Sequence, residues 1–134
     1  KEAAKKNISI EAEKKFKGLL VGDKNKFYQV VLNLVTNGIK YSNENGNVKI
    51  FTNKSKNKFV LMVKDDGIGI PKEDLPRIFE RFYTVDKSRK SKSLGLGLAI
   101  VKHIVKLFNG EIFVESEVGK GSKFTVVSKN VYCE

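Results

Sequence analysis

The spacing of apolar residues changes period along this chain, and the order of the changes restricts the fold more than any other feature. From about residue 24 to 41, Phe27, Val31, Leu34, Val35 and Gly38 recur at helical spacing behind Asp23, a helix-capping residue type. After the Asn45-Gly46 turn signal, Val48, Ile50 and Thr52 alternate as a strand. Asn53 to Lys58 reads as a polar hairpin-like turn, and Phe59 to Val63 as a second strand running into Asp65. A helical pattern then opens near Lys72 with Leu75, Ile78, Phe79 and Phe82. Asp86 to Ser93 is charged and free of apolar residues, a surface-loop composition. Leu96 to Phe108 is another amphipathic helix, with Leu98, Val101, Val105 and Phe108 inward and Asn109-Gly110 as its stop. Two strands near Ile112 to Glu115 and Ser122 to Ser128 flank Gly119-Lys120-Gly121, and Ile8 and Ile10 suggest a short strand near the start. Helices and strand pairs interleave without regular βαβ alternation. The prediction is an α/β two-layer sandwich, helices packed on one face of a mixed, mostly antiparallel sheet.

Length and charge set the class. At 134 residues the chain is one domain, 1–134, and 40% apolar with 31% charged residues is the balance of a folded soluble chain. No stretch approaches the roughly 18 apolar residues of a spanning helix. The formal net charge is +11, from 26 Lys and Arg against 15 Asp and Glu, which invites a nucleic-acid reading. The pattern argues against it: only Arg77, Arg81 and Arg89 are Arg, base-edge readers lean on Arg forks, and the lysines are spread along the whole chain. The single Cys133 excludes an internal disulfide framework and fits a reducing compartment.

Three clusters are candidates for chemistry. On the first helix, at about 100° per residue, Asn33, Asn37 and Lys40 fall in a narrow arc beside the apolar stripe. An amide oxygen can ligate Mg²⁺ and an ammonium can hold phosphate oxygens; the same residues also make an ordinary polar helix flank. Asp65-Asp66-Gly67-Ile68-Gly69-Ile70-Pro71 follows a strand, giving an acceptor carboxylate beside backbone that a flat ligand can approach, or simply a turn. Gly95-Leu96-Gly97-Leu98 opens a helix whose first amides are free to attract phosphate, or is a tight loop that needs Gly for packing. No Gly-x-x-x-x-Gly-Lys-Ser/Thr loop and no His-Arg-Asp signature is present.

Taken together, Asn33 to Ser42, Asp65 to Pro71, Ile78 to Tyr83, Gly95 to Val101 and Gly119 to Phe124 resemble the N box, first glycine box, F box, second glycine box and closing glycine motif of bacterial sensor histidine kinases. Five motifs in order and register cover nearly the whole chain. The resemblance implies the catalytic, ATP-binding domain with the Bergerat fold, which DNA gyrase B, a heat-shock chaperone and mismatch-repair ATPases share. It implies that Asn37 ligates Mg²⁺ with Asn33 beside it, that Lys40 contacts phosphate and that Tyr41 lines the nucleotide pocket. Asp65 would accept the adenine amino group, with Gly67, Ile68, Gly69 and Ile70 shaping the pocket. Phe79 and Phe82 would anchor a lid, Asp86 to Leu94, in which Lys87 and Arg89 are cations facing the γ-phosphate. Leu94, Gly95, Leu96, Gly97 and Leu98 would bring the end of that lid to the phosphates.

The resemblance also implies partners. Asn33 stands where the ATP-hydrolysing relatives carry a Glu that activates water, and an amide is no general base, so transfer to an imidazole is expected over rapid hydrolysis. The acceptor motif is missing: His103 is followed by Ile104-Val105 and shares a polar helix face with Lys102 and Lys106. The acceptor histidine is therefore expected on a separate dimerisation and phosphoacceptor-helix domain, for relay to a response regulator. This chain is then expected to be a monomeric cytoplasmic fragment of a homodimeric, membrane-bound kinase. Gly38 stands where Ala is usual in the family, Asp66 where Asn is common, and Ser91 to Leu94 replaces a longer glycine run.

Overall fold

The computed structural model describes residues 7–14, 16, 18–20, 22–83, 97–129 and 131–133. Five strands form a mixed sheet in the order β1-β3-β4-β6-β5, where β1 is Ser9–Lys14, β3 Asn47–Ser55, β4 Lys58–Asp65, β5 Gly110–Glu117 and β6 Gly121–Ser128. Only β1 and β3 pair in parallel; the other neighbours are antiparallel. Helices α1, Lys24–Tyr41, and α2, Gly97–Leu107, pack on one face. A two-stranded antiparallel ribbon joins β2, Gly18–Leu20, to β7, Val131–Cys133. The expected two-layer sandwich is the fold.

Alternation of residue type explains which face carries the helices. Along β4, Phe59, Leu61, Val63 and Asp65 are buried, and on β6 Ser122, Phe124, Val126 and Ser128 are. They meet Val30, Leu34 and Gly38 of α1 and Val101, Ile104 and Val105 of α2. Phe27 joins this core edge-on to Phe59, with ring centroids 5.6 Å apart. Between β3 and β4 the turn is only Lys56-Asn57, with φ of 51° and 63°, the left-handed pair of a type I′ hairpin. The strands thus run further than their apolar residues alone indicate, because Asn53, Lys54 and Ser55 pair in register with Val60, Phe59 and Lys58.

The helix expected from Lys72 is not formed. Residues 72–82 make a run of turns around a single 3₁₀ turn, Leu75–Arg77. Asp74, Arg77, Glu80 and Tyr83 each donate a backbone hydrogen bond to the carbonyl three residues back. Pro76 gives the reason, since it has no amide hydrogen to donate and its ring obstructs a continued α-helix. Ile78 still reaches the core and Phe79 packs edge-on to Phe124 at 6.3 Å.

Candidate functional site

Helix α1 supplies the first wall of the site, and its two ends are fixed by side chains. The Asp23 carboxylate accepts from Asn25 N at 2.8 Å and Lys26 N at 3.3 Å, satisfying amides that the first turn leaves free. At the other end Ser42 Oγ donates to Gly38 O at 2.6 Å. Between them Asn33, Asn37 and Lys40 are half-buried along one edge of the buried stripe, the arc the sequence predicts. Asn33 Nδ2 lies 3.5 Å from Gly97 O, so the N box and the second glycine box meet where α1 passes the start of α2. Lys40 Nζ stands 5.2 Å above the centre of the Tyr41 ring.

Asp65 forms the base of the second wall. It ends β4 with Val48 and Ser122 opposite on the neighbouring strands, and is only 5% exposed. Gly67 N donates to its Oδ1 at 2.9 Å. Burial raises the pKa of this carboxyl, the backbone amides of Gly67 and Ser122 pull it back in part, and the nearby Asp66 charge adds to the rise. A buried acceptor of this kind gains from a donor that arrives without water, as an exocyclic amine does.

Glycines hold the following loop against backbone on both sides. A Cβ on Gly67 would sit 2.3 Å from Tyr41 O, and one on Gly69, at φ +77°, would sit 2.2 Å from Glu117 O. In that space run the bonds Ile68 N to Tyr41 O at 3.1 Å and Gly119 N to Ile68 O at 2.9 Å. Ile70 N donates to Ser116 Oγ at 2.7 Å, and Ser116 Oγ lies 2.8 Å from Ser122 Oγ. Residues 67–70 are thus tied to the last turn of α1 and to the β5–β6 hairpin. Gly97 differs: among the described residues nothing lies within 4 Å of a Cβ placed there.

The predicted site residues fall into three groups. Asn33, Asn37, Lys40 and Tyr41 belong to α1, Asp65 ends β4, Gly67, Ile68, Gly69 and Ile70 lie on the loop that follows it and is tied to α1, and Gly97 and Leu98 begin α2. Phe82 is 67% exposed at φ +65°, so of the two aromatic anchors expected only Phe79 reaches the core. Lys87, Arg89, Leu94, Gly95 and Leu96, with the rest of the expected lid, lie outside the described residues. Sequence reasoning missed Ser116 and Ser122, the hydroxyls beside Asp65; Ser122 had a signal in the closing glycine motif, and Ser116 had none. A cavity of about 670 Å³ opens on that hairpin side, lined by Asp65, Ile70, Ser116 and Ser122 among others, but not by Asn33, Asn37 or Lys40. His103 is on the exposed face of α2, as expected.

As for metal, no group of three His, Cys, Asp or Glu side chains that could hold an ion gathers among the described residues. The amide oxygens of Asn33 and Asn37 are hard donors that α1 offers on the arc with Lys40. One such ligand, completed by phosphate oxygens and water, is the kind of set Mg²⁺ takes, so the residues fit it.

Residues 22–130 match the family described as histidine kinase-, DNA gyrase B-, and HSP90-like ATPase. The chain belongs to this family. Its similarity runs to the sensor kinases within it: the chain is 45% identical over 107 residues to sensor histidine kinase WalK of Bacillus subtilis, covering 77% of this chain and 18% of that protein. It is 44% identical over 123 residues to sporulation kinase C of the same organism, covering 89% of this chain and 28% of that protein. The chain thus spans under a third of the length of these curated relatives. Among solved structures, the catalytic domain of histidine kinase ThkA superposes with a TM-score of 0.81 at 30% identity, covering 96% of this chain and 84% of that one. Full-length ShkA in complex with AMPPNP gives 0.86 at 26% identity, covering 99% of this chain and 28% of that one. This ATPase-family domain is therefore of the kind that sensor kinases carry.

Proposed function

We propose that this chain is a single domain that binds ATP with Mg²⁺ and presents the γ-phosphoryl group to a histidine on a separate phosphoacceptor-helix domain. The observation that carries the reading is Asp65: a buried carboxylate with one oxygen held by Gly67 N, at the foot of the helix that bears Asn33, Asn37 and Lys40. We assign Asp65 to the adenine amine, Asn37 to the metal with Asn33 beside it, and Lys40 to phosphate oxygens. Lys87 and Arg89 are assigned to the γ-phosphate side. The metal, when bound, offsets phosphate charge. This chain's own groups then have two tasks, to hold the nucleotide and to leave the terminal phosphate open to an imidazole. With Asn33 in place of a carboxylate, no base on α1 activates water, so an isolated domain should retain ATP with little turnover.

Relatives named sensor histidine kinases support this reading, as does the complex of the structurally similar ShkA with an ATP analogue. Under it, the parent is a homodimeric, membrane-bound kinase whose catalytic part faces the cytoplasm and whose phosphohistidine feeds a response regulator. Calorimetric titration with a non-hydrolysable ATP analogue, with and without Mg²⁺, tests the nucleotide site. Binding that needs both Mg²⁺ and Asp65 supports the assignment; affinity unchanged by removing the metal and by Asp65→Asn overturns it.

A further inference from the structure

Two hydroxyls stand in register with Asp65, and their neighbours fix which way their hydrogens point. Ser116 on β5 lies opposite Ser122 on β6, and Ser122 lies opposite Asp65 on β4, so the three side chains form one row across the end of the sheet. Ser116 Oγ has three polar neighbours: Ile70 N at 2.7 Å, Ser122 Oγ at 2.8 Å and Gly121 O at 3.0 Å. A serine hydroxyl has one hydrogen to give and two lone pairs to receive with. Gly121 O can only accept, so it takes the Ser116 hydrogen. The Ile70 amide fills one lone pair of Ser116, and the other remains for Ser122, whose own hydrogen therefore points at Ser116. Towards the cavity that it lines with Asp65, Ser122 then has lone pairs and no hydrogen. The ionised Asp65 carboxylate, with Oδ1 already held by Gly67 N, is likewise an acceptor only.

We propose that Ser116 is a positioning residue for base recognition: by taking the Ser122 hydrogen it keeps the wall beside Asp65 free of donors, so that the site favours a purine with an amino group over one with an oxo group at the same ring position. The inference rests on the assignment of Asp65 to the adenine amine and adds a second layer to it. Ser116 acts through Ser122 and not on the base. An oxo group set against Ser122 and Asp65 brings a third acceptor to two others and finds no hydrogen, which costs affinity where water is excluded. Without Ser116 the Ser122 hydroxyl is free to turn and donate to that oxo group, and the preference for the amine shrinks.

The test is calorimetric titration of the 134-residue chain, with Mg²⁺, against non-hydrolysable analogues of ATP and of ITP, whose base carries an oxo group where adenine has its amine. The quantity read is the ratio of the two affinities, which a general loss of stability does not move. Ser116→Ala should lower the preference for the ATP analogue about tenfold, the effect of one hydrogen bond gained by the competitor, and Ser116→Thr, which keeps the hydroxyl, should restore it. Added to Ser122→Ala, the same Ser116→Ala change should leave the ratio where Ser122→Ala alone puts it, because the hydroxyl through which Ser116 acts is gone. If Ser116→Ala does not fold, Ser116→Cys, with a thiol that is only a weak donor and acceptor, takes its place. A ratio unchanged by these substitutions overturns the proposal, as does a fall that persists without the Ser122 hydroxyl, which would trace the effect to the tie between Ser116 and Ile70 N. Wild-type chain that binds neither analogue, or binds the ATP analogue equally well with Asp65→Asn, removes the nucleotide reading and this inference with it; Asp65-dependent binding with an insensitive ratio removes this inference alone.

Discussion

Gly38→Ala should make this domain more stable without changing what it binds, and the structure gives the size of the effect. Gly38 is buried in the last turn of α1, where a Cβ would lie 3.5 and 3.6 Å from the two methyls of Val48 and 3.7 Å from the Asp65 Cβ. These are ordinary van der Waals distances, so the methyl fills space already available. Glycine in a helix costs about 0.5–1 kcal/mol relative to Ala, and a buried methyl group contributes about 0.8 kcal/mol. The sum is about 1.5 kcal/mol. For a domain of this size that corresponds to a rise in Tm of about 5 °C. In urea, at an m-value of about 2 kcal/mol/M, it moves the midpoint by about 0.7 M with the slope unchanged. Nucleotide affinity should stay within about twofold, because the methyl meets the Cβ of Asp65 and not its oxygens. A lowered midpoint would refute the reasoning, since it would mean that α1 sits too close to β3 to admit the methyl. A raised midpoint with lost binding would refute the separation of packing from recognition.

Five further outcomes are expected. Asp65→Asn should weaken binding of an ATP analogue about 10- to 150-fold by calorimetry, the equivalent of the roughly 1.5–3 kcal/mol carried by a hydrogen bond to a charged group. Because burial raises the Asp65 pKa, affinity measured against pH should begin to fall, on acidification, at a higher pH than an exposed aspartate would produce, and Asp65→Asn should flatten that profile. The same rise makes the contribution of Asp65 to stability greatest below its ordinary value of about 3.9 and smaller as pH climbs through the folded value, so the wild-type midpoint should gain on that of Asp65→Asn as pH is lowered. Gly67→Ala should cost about 1–3 kcal/mol in urea unfolding, because its Cβ would lie 2.3 Å from Tyr41 O; an unchanged midpoint would show that the loop can shift. Lys56→Asn should raise the unfolding free energy in urea by about 0.5–1 kcal/mol, since Asn tolerates the left-handed φ of 51° better than Lys.

The residues show why some of this was legible in the sequence. Helix α1 was readable to its ends because its cap, its apolar stripe and its terminator all point to one structure. The segment from Lys72 was misread because Leu75, Ile78, Phe79 and Phe82 keep a helical rhythm that Pro76 cuts into single turns; periodicity reports which side chains go inward, and backbone hydrogen bonding decides how. The ribbon of β2 and β7 joins residues far apart in the chain, and three-residue strands carry too little pattern to announce a long-range partner. In the candidate site, Asp65 and the Asn residues were singled out by chemistry and motif, and the structure places them on adjoining elements. Ser116 was not, since a serine in a strand gives no sign that its hydroxyl will meet Ile70 N from the hairpin opposite.

The glycines of the first box also change meaning once their neighbours are known. Read from sequence, Gly67 and Gly69 leave room for a ligand. In the structure that room is taken by protein backbone, Tyr41 O at one and Glu117 O at the other, and Gly121 repeats the pattern against Asp65 O at 2.1 Å. These three glycines let α1, the loop and the β5–β6 hairpin approach at hydrogen-bonding distance, which fixes the acceptor carboxylate before any ligand arrives. Gly97 differs in having nothing within 4 Å of its missing Cβ among the described residues. Under the proposed function, recognition by Asp65 would be preorganised, and little conformational entropy would remain to be lost there on binding. Substitutions at Gly67, Gly69 or Gly121 should act through folding, whereas Gly97→Ala should leave the unfolding free energy within about 1 kcal/mol and lower nucleotide affinity. A Gly97→Ala variant with normal affinity would show that the phosphates do not come near the start of α2.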